Sequence, residues 1–322
     1  MKYKPLQLLF LLIIACILIE ILFKLKHTTI ENNKVKAPTP SSTIKSIKEN
    51  AVTFYKNVDK AVKSREKWSN ELFKFLESEL LKFSSKDSKE KEYVYGHNRF
   101  NSVGPPLLEC IILPLETYGK GDEAKRACAL KLKSNGKQCI IISFGSNNQW
   151  GFEVEVFNAL PNCRIETFDC TIDASTKPPE NIESRTTFHH VCIGDSDYVS
   201  EQGHVFKSWT TILDMIQCSE NPLYLKMDIE GYEFQVLKNI IDTGINLPDE
   251  IAFEVHYDTD IAALNPTNQY KSSAELAVFF EYMYRSGQYL LIDRRDNHLC
   301  LHCTELLMGR VTASRTTDVQ QA

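Results

Sequence analysis

The sequence is short of several things, and each shortage removes a class of protein. With 13 glycines and 12 prolines in 322 residues it is neither collagen-like nor low-complexity. It has no surplus of positive charge. Its 37 basic and 42 acidic side chains leave a formal net charge of -5, so nothing electrostatic favours a nucleic-acid partner. Ten cysteines are sparse for this length, so the core must come from buried apolar surface, and the count alone does not set a compartment. No Asn-x-Ser/Thr acceptor site occurs, which removes the usual mark of lumenal exposure without excluding the lumen. Cys300 and Cys303 form a C-x-x-C pair with no second pair beside it, too little for a zinc site, and no metal is assigned. What is present, 43% hydrophobic and 25% charged residues, is the composition of a globular chain with room for one large domain and accessories.

There is one long hydrophobic run. Leu6–Phe23 is nearly continuous, broken only by Gln7 and Glu20 and flanked by Lys2, Lys4, Lys24 and Lys26. It reaches the lower end of what spans a bilayer as a helix. The residues after it offer no small-x-small cleavage site, so an uncleaved single-pass membrane anchor over 1–26 is expected, in preference to a signal peptide cut near Ala37. Basic residues on both sides leave its orientation open. An anchor followed by a stem and a large domain is the layout of resident endoplasmic-reticulum or Golgi enzymes facing the lumen, and that location is the expectation.

Residues 27–43 are polar, contain two prolines and read as a linker. Over 44–91 a helical stem is expected, with Ile44, Ile47, Ala51, Phe54, Val58, Ala61, Arg65, Trp68, Leu72 and Phe75 recurring in steps of three and four. Such a stripe fits a coiled coil pairing two copies as a homodimer, or an amphipathic helix packed on its own domain. Ala and Arg at core positions favour the second.

From residue 92 to 322 the pattern is that of a single domain. Apolar runs at Cys139–Phe144, Arg164–Phe168, Phe188–Ile193, Leu223–Met227, Glu250–Val255 and Tyr289–Ile292 alternate with helices expected at Phe152–Ala159, Ser208–Ile216, Phe234–Ile241 and Ala274–Ser286. That alternation predicts an α/β fold with a mostly parallel sheet covered on both faces, which places chemistry at the carboxyl ends of the strands.

Those ends carry the candidate site. After the first run comes Ser143-Phe144-Gly145-Ser146-Asn147, where Gly145 lets the backbone approach a ligand closely. The second ends at Asp169, which suits a ribose diol or a solvated turn equally. The fourth delivers Lys226-Met227-Asp228-Ile229-Glu230-Gly231-Tyr232-Glu233, three carboxylates around one glycine, and that charge concentration points to function. The fifth ends Glu254-Val255-His256, with His256 either a general base supported by Glu254 or a histidine satisfied by a loop carbonyl.

The pieces SFGSN, IETFDC, FHHVCIGD, LKMDIEGYE and FEVH, in this order and spacing, resemble S-adenosylmethionine-dependent methyltransferases of the FkbM type, closest to the membrane-anchored methyltransferase-like protein 24 group. The likeness covers roughly Gly96 to Arg310. It implies a Rossmann-like class I methyltransferase fold with a seven-stranded sheet, S-adenosylmethionine as cofactor, and O-methylation of a small-molecule or glycan hydroxyl. It also implies cofactor contacts from Ser143, Gly145, Asn147, Asp169, Asp195 and Asp228, and catalytic roles for Asp228, Glu230 and His256, with Glu233 a further candidate base. One departure stands out: Ser143 occupies a position that is commonly acidic in these enzymes. Two rival readings stay open, a glycosyltransferase holding a metal and nucleotide sugar through Asp195-Ser196-Asp197, and a noncatalytic protein of the same fold.

Overall fold

The computed structural model describes residues 59–71, 103, 106, 115–128, 130–134, 137–256, 273–296 and 303–311. The chain divides into two compact units, Met1–Asn50 and Ala51–Ala322, and every described residue belongs to the second. The expected anchor Leu6–Phe23, the linker and the rest of the stem lie outside the described residues, as do Cys110 and Cys300. Among the described residues, no helix is long and apolar enough to cross a membrane.

Strands β1 (Leu115–Tyr118) and β2 (Lys125–Cys128) form an antiparallel pair around a 3-10 turn at Gly121–Glu123. There follow β3 (Cys139–Phe144), β4 (Cys163–Phe168), β5 (Thr186–His189), β6 (Cys192–Ile193), β7 (Tyr198–Val199), β8 (Val205–Lys207), β9 (Tyr224–Met227), β10 (Glu250–His256), β11 (Tyr289–Asp296) and β12 (Cys303–Arg310). The helices are α1 (59–71), α2 (Leu130–Ser134), α3 (Gly151–Ala159), α4 (Trp209–Met215), α5 (Glu233–Thr243) and α6 (Ser273–Gly287).

Seven strands form the main sheet in the order β11-β12-β10-β9-β3-β4-β5. The run from β5 to β10 is parallel, and β12 is antiparallel to both its neighbours. The chain starts at β3, winds outward through β4 and β5, then returns to β9 on the other side. The order therefore reverses between β3 and β9, where open α/β sheets bind their ligands. This is the seven-stranded class I methyltransferase arrangement, as expected from the motifs.

The strands are apolar because both faces are covered. Ile142, Phe144, Leu225, Met227, Ile251 and Phe253 pack with residues of α4, α5 and α6. The alternate residues Ile141, Ile165, Tyr224 and Ala252 pack with Leu130 of α2 and Phe152 and Val156 of α3. The expected strand Phe188–Ile193 is corrected: a turn in which the Val191 amide donates to the His189 carbonyl (2.9 Å) ends β5, and β6 leaves to join a small sheet with β7 and β8.

Helix α1 is the described part of the stem, and it packs on the domain. Ala61, Arg65 and Ser69, one turn apart, are all buried. The charged break in the stripe is its anchor. Arg65 donates to Glu281 of α6 (3.1 Å) and to the Val103 carbonyl, lies 4.4 Å from the Trp68 ring centroid, and Ser69 also donates to Glu281 (2.6 Å). Glu281 keeps Ser69 and Arg285 as partners when Arg65 is removed, so Arg65→Met is expected to lower unfolding free energy by about 2 kcal/mol. Urea unfolding measures it; an unchanged midpoint would show that α1 does not hold to the domain.

Disulfides join Cys139 to Cys163, directly paired at the start of β3 and β4, and Cys170 to Cys192, linking the loop after β4 to β6. Cys128 and Cys303 are disulfide-bonded as well, and among the described residues Cys218 is the free thiol.

Candidate active site

The site is built where β3, β4, β9 and β10 end. Gly145 follows β3 with φ +78, a conformation that costs a side chain, and its neighbour leaves no room for one. A Cβ there would lie 1.7 Å from the Asp228 carbonyl oxygen. Two separate motifs of the sequence therefore touch backbone to backbone. Asn147 and Asn148 continue the loop in the left-handed region, which asparagine tolerates better than most residues.

Asp169 holds that loop. One carboxylate oxygen accepts from the amides of Ser146 (3.0 Å) and Asn147 (2.8 Å), the other from the amide (2.9 Å) and hydroxyl (2.7 Å) of Thr171. Four donors fill the carboxylate's acceptor sites, so Asp169 positions the Gly145 loop and a ribose diol would have to displace one of them. Ser143 is corrected more sharply. It is fully buried, and its hydroxyl donates to Glu153 of α3 (2.7 Å), so it lies beneath the loop rather than facing a ligand.

The Asp228–Glu233 segment turns tightly, with Glu230 at φ +55 and Gly231 at φ +98. A non-glycine residue in that region stores strain of about 1–3 kcal/mol, as functional loops often do. Glu233 secures the turn by accepting from the amides of Ile229 (3.1 Å) and Gly231 (2.9 Å). It also pairs with His256 Nδ1 at 3.0 Å, while Nε2 lies 3.5 Å from Glu230 and 3.6 Å from Glu254. Burial opposes a charge on His256, but Glu233, Asp228 and Glu230 outweigh it and the imidazole is pushed up to about 10. The surrounding carboxylates thus favour the charged form of His256, which sits at the centre of the acidic group. Glu233, 1% exposed and fully engaged, is no base.

Two residues reach the site from distant parts of the chain with no motif to announce them. Lys125 of β2 is completely buried and donates to Asp228 (3.2 Å) and to Glu305 of β12 (2.5 Å). Burial works against its charge, yet Asp228 and Glu305 raise its pKa. Burial also opposes the Asp228 charge, but Lys125, Lys226 and His256 hold that carboxyl below its ordinary value. Glu254 is different: burial and the neighbouring Asp228 push it up to about 7. Carboxylate oxygens of Asp228, Glu254 and Glu305 all lie within 4.8 Å of one another, with the Lys125 ammonium bridging two of them. Of the whole group, Glu230 and Asp228 keep the most exposed side chains, 42% and 22%.

Asp195 is exposed beyond β6, and Asp197 is taken up by α4. It accepts from the Ser208 amide (2.8 Å), Thr211 Oγ1 (3.1 Å) and Lys207 Nζ (3.1 Å), and the Ser208 bond leads the causes that lower it to about 2. An Asp-x-Asp metal site would need Asp197 to leave its helix.

A model of the methyltransferase domain matches residues 106–308, more than half of the chain. The chain belongs to this family of methyltransferase domains. It is an enzyme fold of transferases that use S-adenosylmethionine as methyl donor. Solved structures similar to this methyltransferase domain include an O-methyltransferase family protein from Burkholderia thailandensis (10% identity, 57% of this chain and 53% of that one, TM-score 0.32). A second is the Methanococcus jannaschii fibrillarin pre-rRNA processing protein (7% identity, 61% and 82%, 0.34). A third is an O-methyltransferase family 2 protein from Planctomyces limnophilus in complex with apigenin (11% identity, 71% and 64%, 0.34). The chain spans about half the length of the first of these. No curated protein matches it. The assignment rests on the family match and the strand order.

The residues suit the cofactor at its methionine end. Gly145 lets the loop after β3 lie directly on the Asp228 backbone, and the partly exposed carboxylates of Asp228 and Glu230 complement a cationic ligand. The ribose end lacks the free acid expected at Asp169.

Proposed function

We propose that the protein is an O-methyltransferase of the FkbM type, related to the membrane-anchored methyltransferase-like protein 24 group, and that it methylates a small-molecule or glycan hydroxyl. The observation that carries this reading is the contact of Gly145 with Asp228, which brings the loop after β3 and the acidic turn after β9 together at the strand ends. Gly145, Asn147 and Asp228 would hold the cofactor, with Asp195 at the adenine side. Bound S-adenosylmethionine supplies an electrophilic methyl group on a sulfonium.

The chain's own residues position the acceptor and take its proton. Asp228, its side chain 22% exposed at the strand ends, accepts the proton of the acceptor hydroxyl. Lys125 and His256 keep it ionised beforehand. Glu254, titrating near 7 within 4.8 Å, takes up the proton from Asp228 and returns it to solvent by way of the exposed Glu230. Glu230 helps to orient the acceptor.

Disulfides persist in oxidising compartments, so the bonded Cys128, Cys139, Cys163, Cys170, Cys192 and Cys303 favour a lumenal domain behind the Leu6–Phe23 anchor. A homodimer through the stem is disfavoured by the packing of α1 on α6.

The test is transfer of labelled methyl from S-adenosylmethionine to a panel of sugar and phenolic hydroxyl compounds, read by mass spectrometry. We expect a labelled ether that Asp228→Asn reduces at least roughly hundredfold. Label on nitrogen, or equal turnover in the variant, would overturn the O-methyltransferase reading.

A further inference from the structure

Beneath the Gly145 loop lies a polar layer in an otherwise apolar sheet–helix interface. Thr167, Ser143 and Lys226 are direct partners across β4, β3 and β9, so the three side chains stand in one row. They face α3, as their strand neighbours Ile165, Ile141 and Tyr224 do. All three are buried, and one carboxylate serves the row. Glu153, in the first turn of α3 and 1% exposed, accepts from Ser143 Oγ (2.7 Å) and lies 3.5 Å from Thr167 Oγ1, while its other oxygen has no hydrogen-bond partner. Lys226, its charge partner, donates to the carbonyl oxygen of Gly145. The loop is therefore tied at both ends to this buried layer: at Gly145 through Lys226, and at α3 through Glu153 and Ser143.

Burying titratable groups in an apolar interface costs free energy, so such a layer is weak evidence for stability alone. We propose that Glu153 is a positioning residue for cofactor binding, standing in from helix α3 for a strand-borne acid at Ser143, with Lys226 as the link that fixes the Gly145 carbonyl and so aims the loop. This rests on the S-adenosylmethionine reading above. The carboxylate is defined by its place under the loop, and since Ser143 Oγ and Glu153 Oε1 are 2.7 Å apart, an acid at either position fills the same space.

The test uses full-length protein and three variants: Glu153→Gln, Lys226→Met, and the exchange of Ser143→Asp with Glu153→Ser. S-adenosylhomocysteine affinity is measured by calorimetry, and amide hydrogen exchange at Gly145–Asn147 is followed without ligand. Glu153→Gln and Lys226→Met are expected to weaken binding roughly tenfold each and to speed loop exchange, while melting cooperatively. The exchange variant is expected to recover most of the lost affinity, which a merely structural role would not produce. Wild-type affinity and loop protection in Glu153→Gln would overturn the proposal, as would failure of a folded exchange variant to recover either. If the unaltered protein binds no S-adenosylhomocysteine, the cofactor reading falls, and the loop-exchange arm still decides whether Glu153 positions the loop.

Discussion

Gly145→Ala is expected to abolish S-adenosylhomocysteine binding within the measurable range, a loss of at least roughly hundredfold. The added methyl carbon would sit 1.7 Å from the Asp228 carbonyl oxygen, and the atom it meets is backbone, which cannot swing aside. The φ of +78 adds a second penalty for any L side chain. Relief requires β3 and β9 to part at their ends, which breaks the bond from the Asp228 amide to the Phe144 carbonyl (3.1 Å) and moves Asp228 itself. The apolar core below lies clear of this contact, so the variant should still fold, with a melting temperature lowered by a few degrees. Calorimetric titration beside a melting curve measures both. An alanine variant that binds as the parent does would mean that the loop and the acidic turn do not meet.

His256→Gln is expected to destabilise the protein by about 3–5 kcal/mol, the cost of removing one partner from a buried charge cluster. Glutamine can keep a bond to Glu233 but leaves Glu230, Glu233, Glu254 and Asp228 without their central cation. The same cluster fixes the sign of the pH dependence. The folded-state pKa of His256 is raised from 6.5 to about 10, so its contribution is complete below 6.5 and is lost as pH rises through 10. Glu254 is raised from 4.5 to about 7, so it too favours the protonated folded state and subtracts stability as pH climbs from 4.5 to 7. Lys125, Glu233, Glu305, Asp228 and Glu230 face the pair and set these shifts. Urea unfolding between pH 6.5 and 9 should show parent stability falling with pH and a much flatter profile for His256→Gln. Equal slopes would remove the imidazolium from the account.

Much of this was legible in the sequence because it is local. The isoleucine-rich β3, the four helices and three of the five other apolar runs appear within about two residues of their places, since parallel strands buried on both faces read as unbroken apolar segments; the run Phe188–Ile193 splits between β5 and β6, and β11 runs four residues past Ile292. The carboxylates after β9 announced themselves by clustering. The roles of individual side chains did not, because they depend on what arrives from elsewhere. Lys125 comes from a hairpin and Glu305 from an antiparallel strand, 103 and 77 positions from Asp228, and neither lies in a motif. Without them Asp228 looks like an ordinary acid. His256 looked like a base because one carboxylate beside it was visible in sequence; the structure adds three more and makes it a cation. Asp169 and Ser143 were read as ligand contacts from their strand-end positions, and both turn inward to partners that sequence separation concealed. Arg65 read as an interruption of the stem stripe because an arginine at a core position looks misplaced until Glu281, 216 residues on, supplies its partner.

The roles proposed for these residues all depend on a cofactor bound where the Gly145 loop meets the Asp228 turn. The most direct test is calorimetric titration of the full-length protein with S-adenosylhomocysteine, alongside a nucleotide sugar with manganese as the competing ligand. The account predicts one-to-one, micromolar binding of S-adenosylhomocysteine and none of the nucleotide sugar. A folded protein that ignores S-adenosylhomocysteine would contradict it.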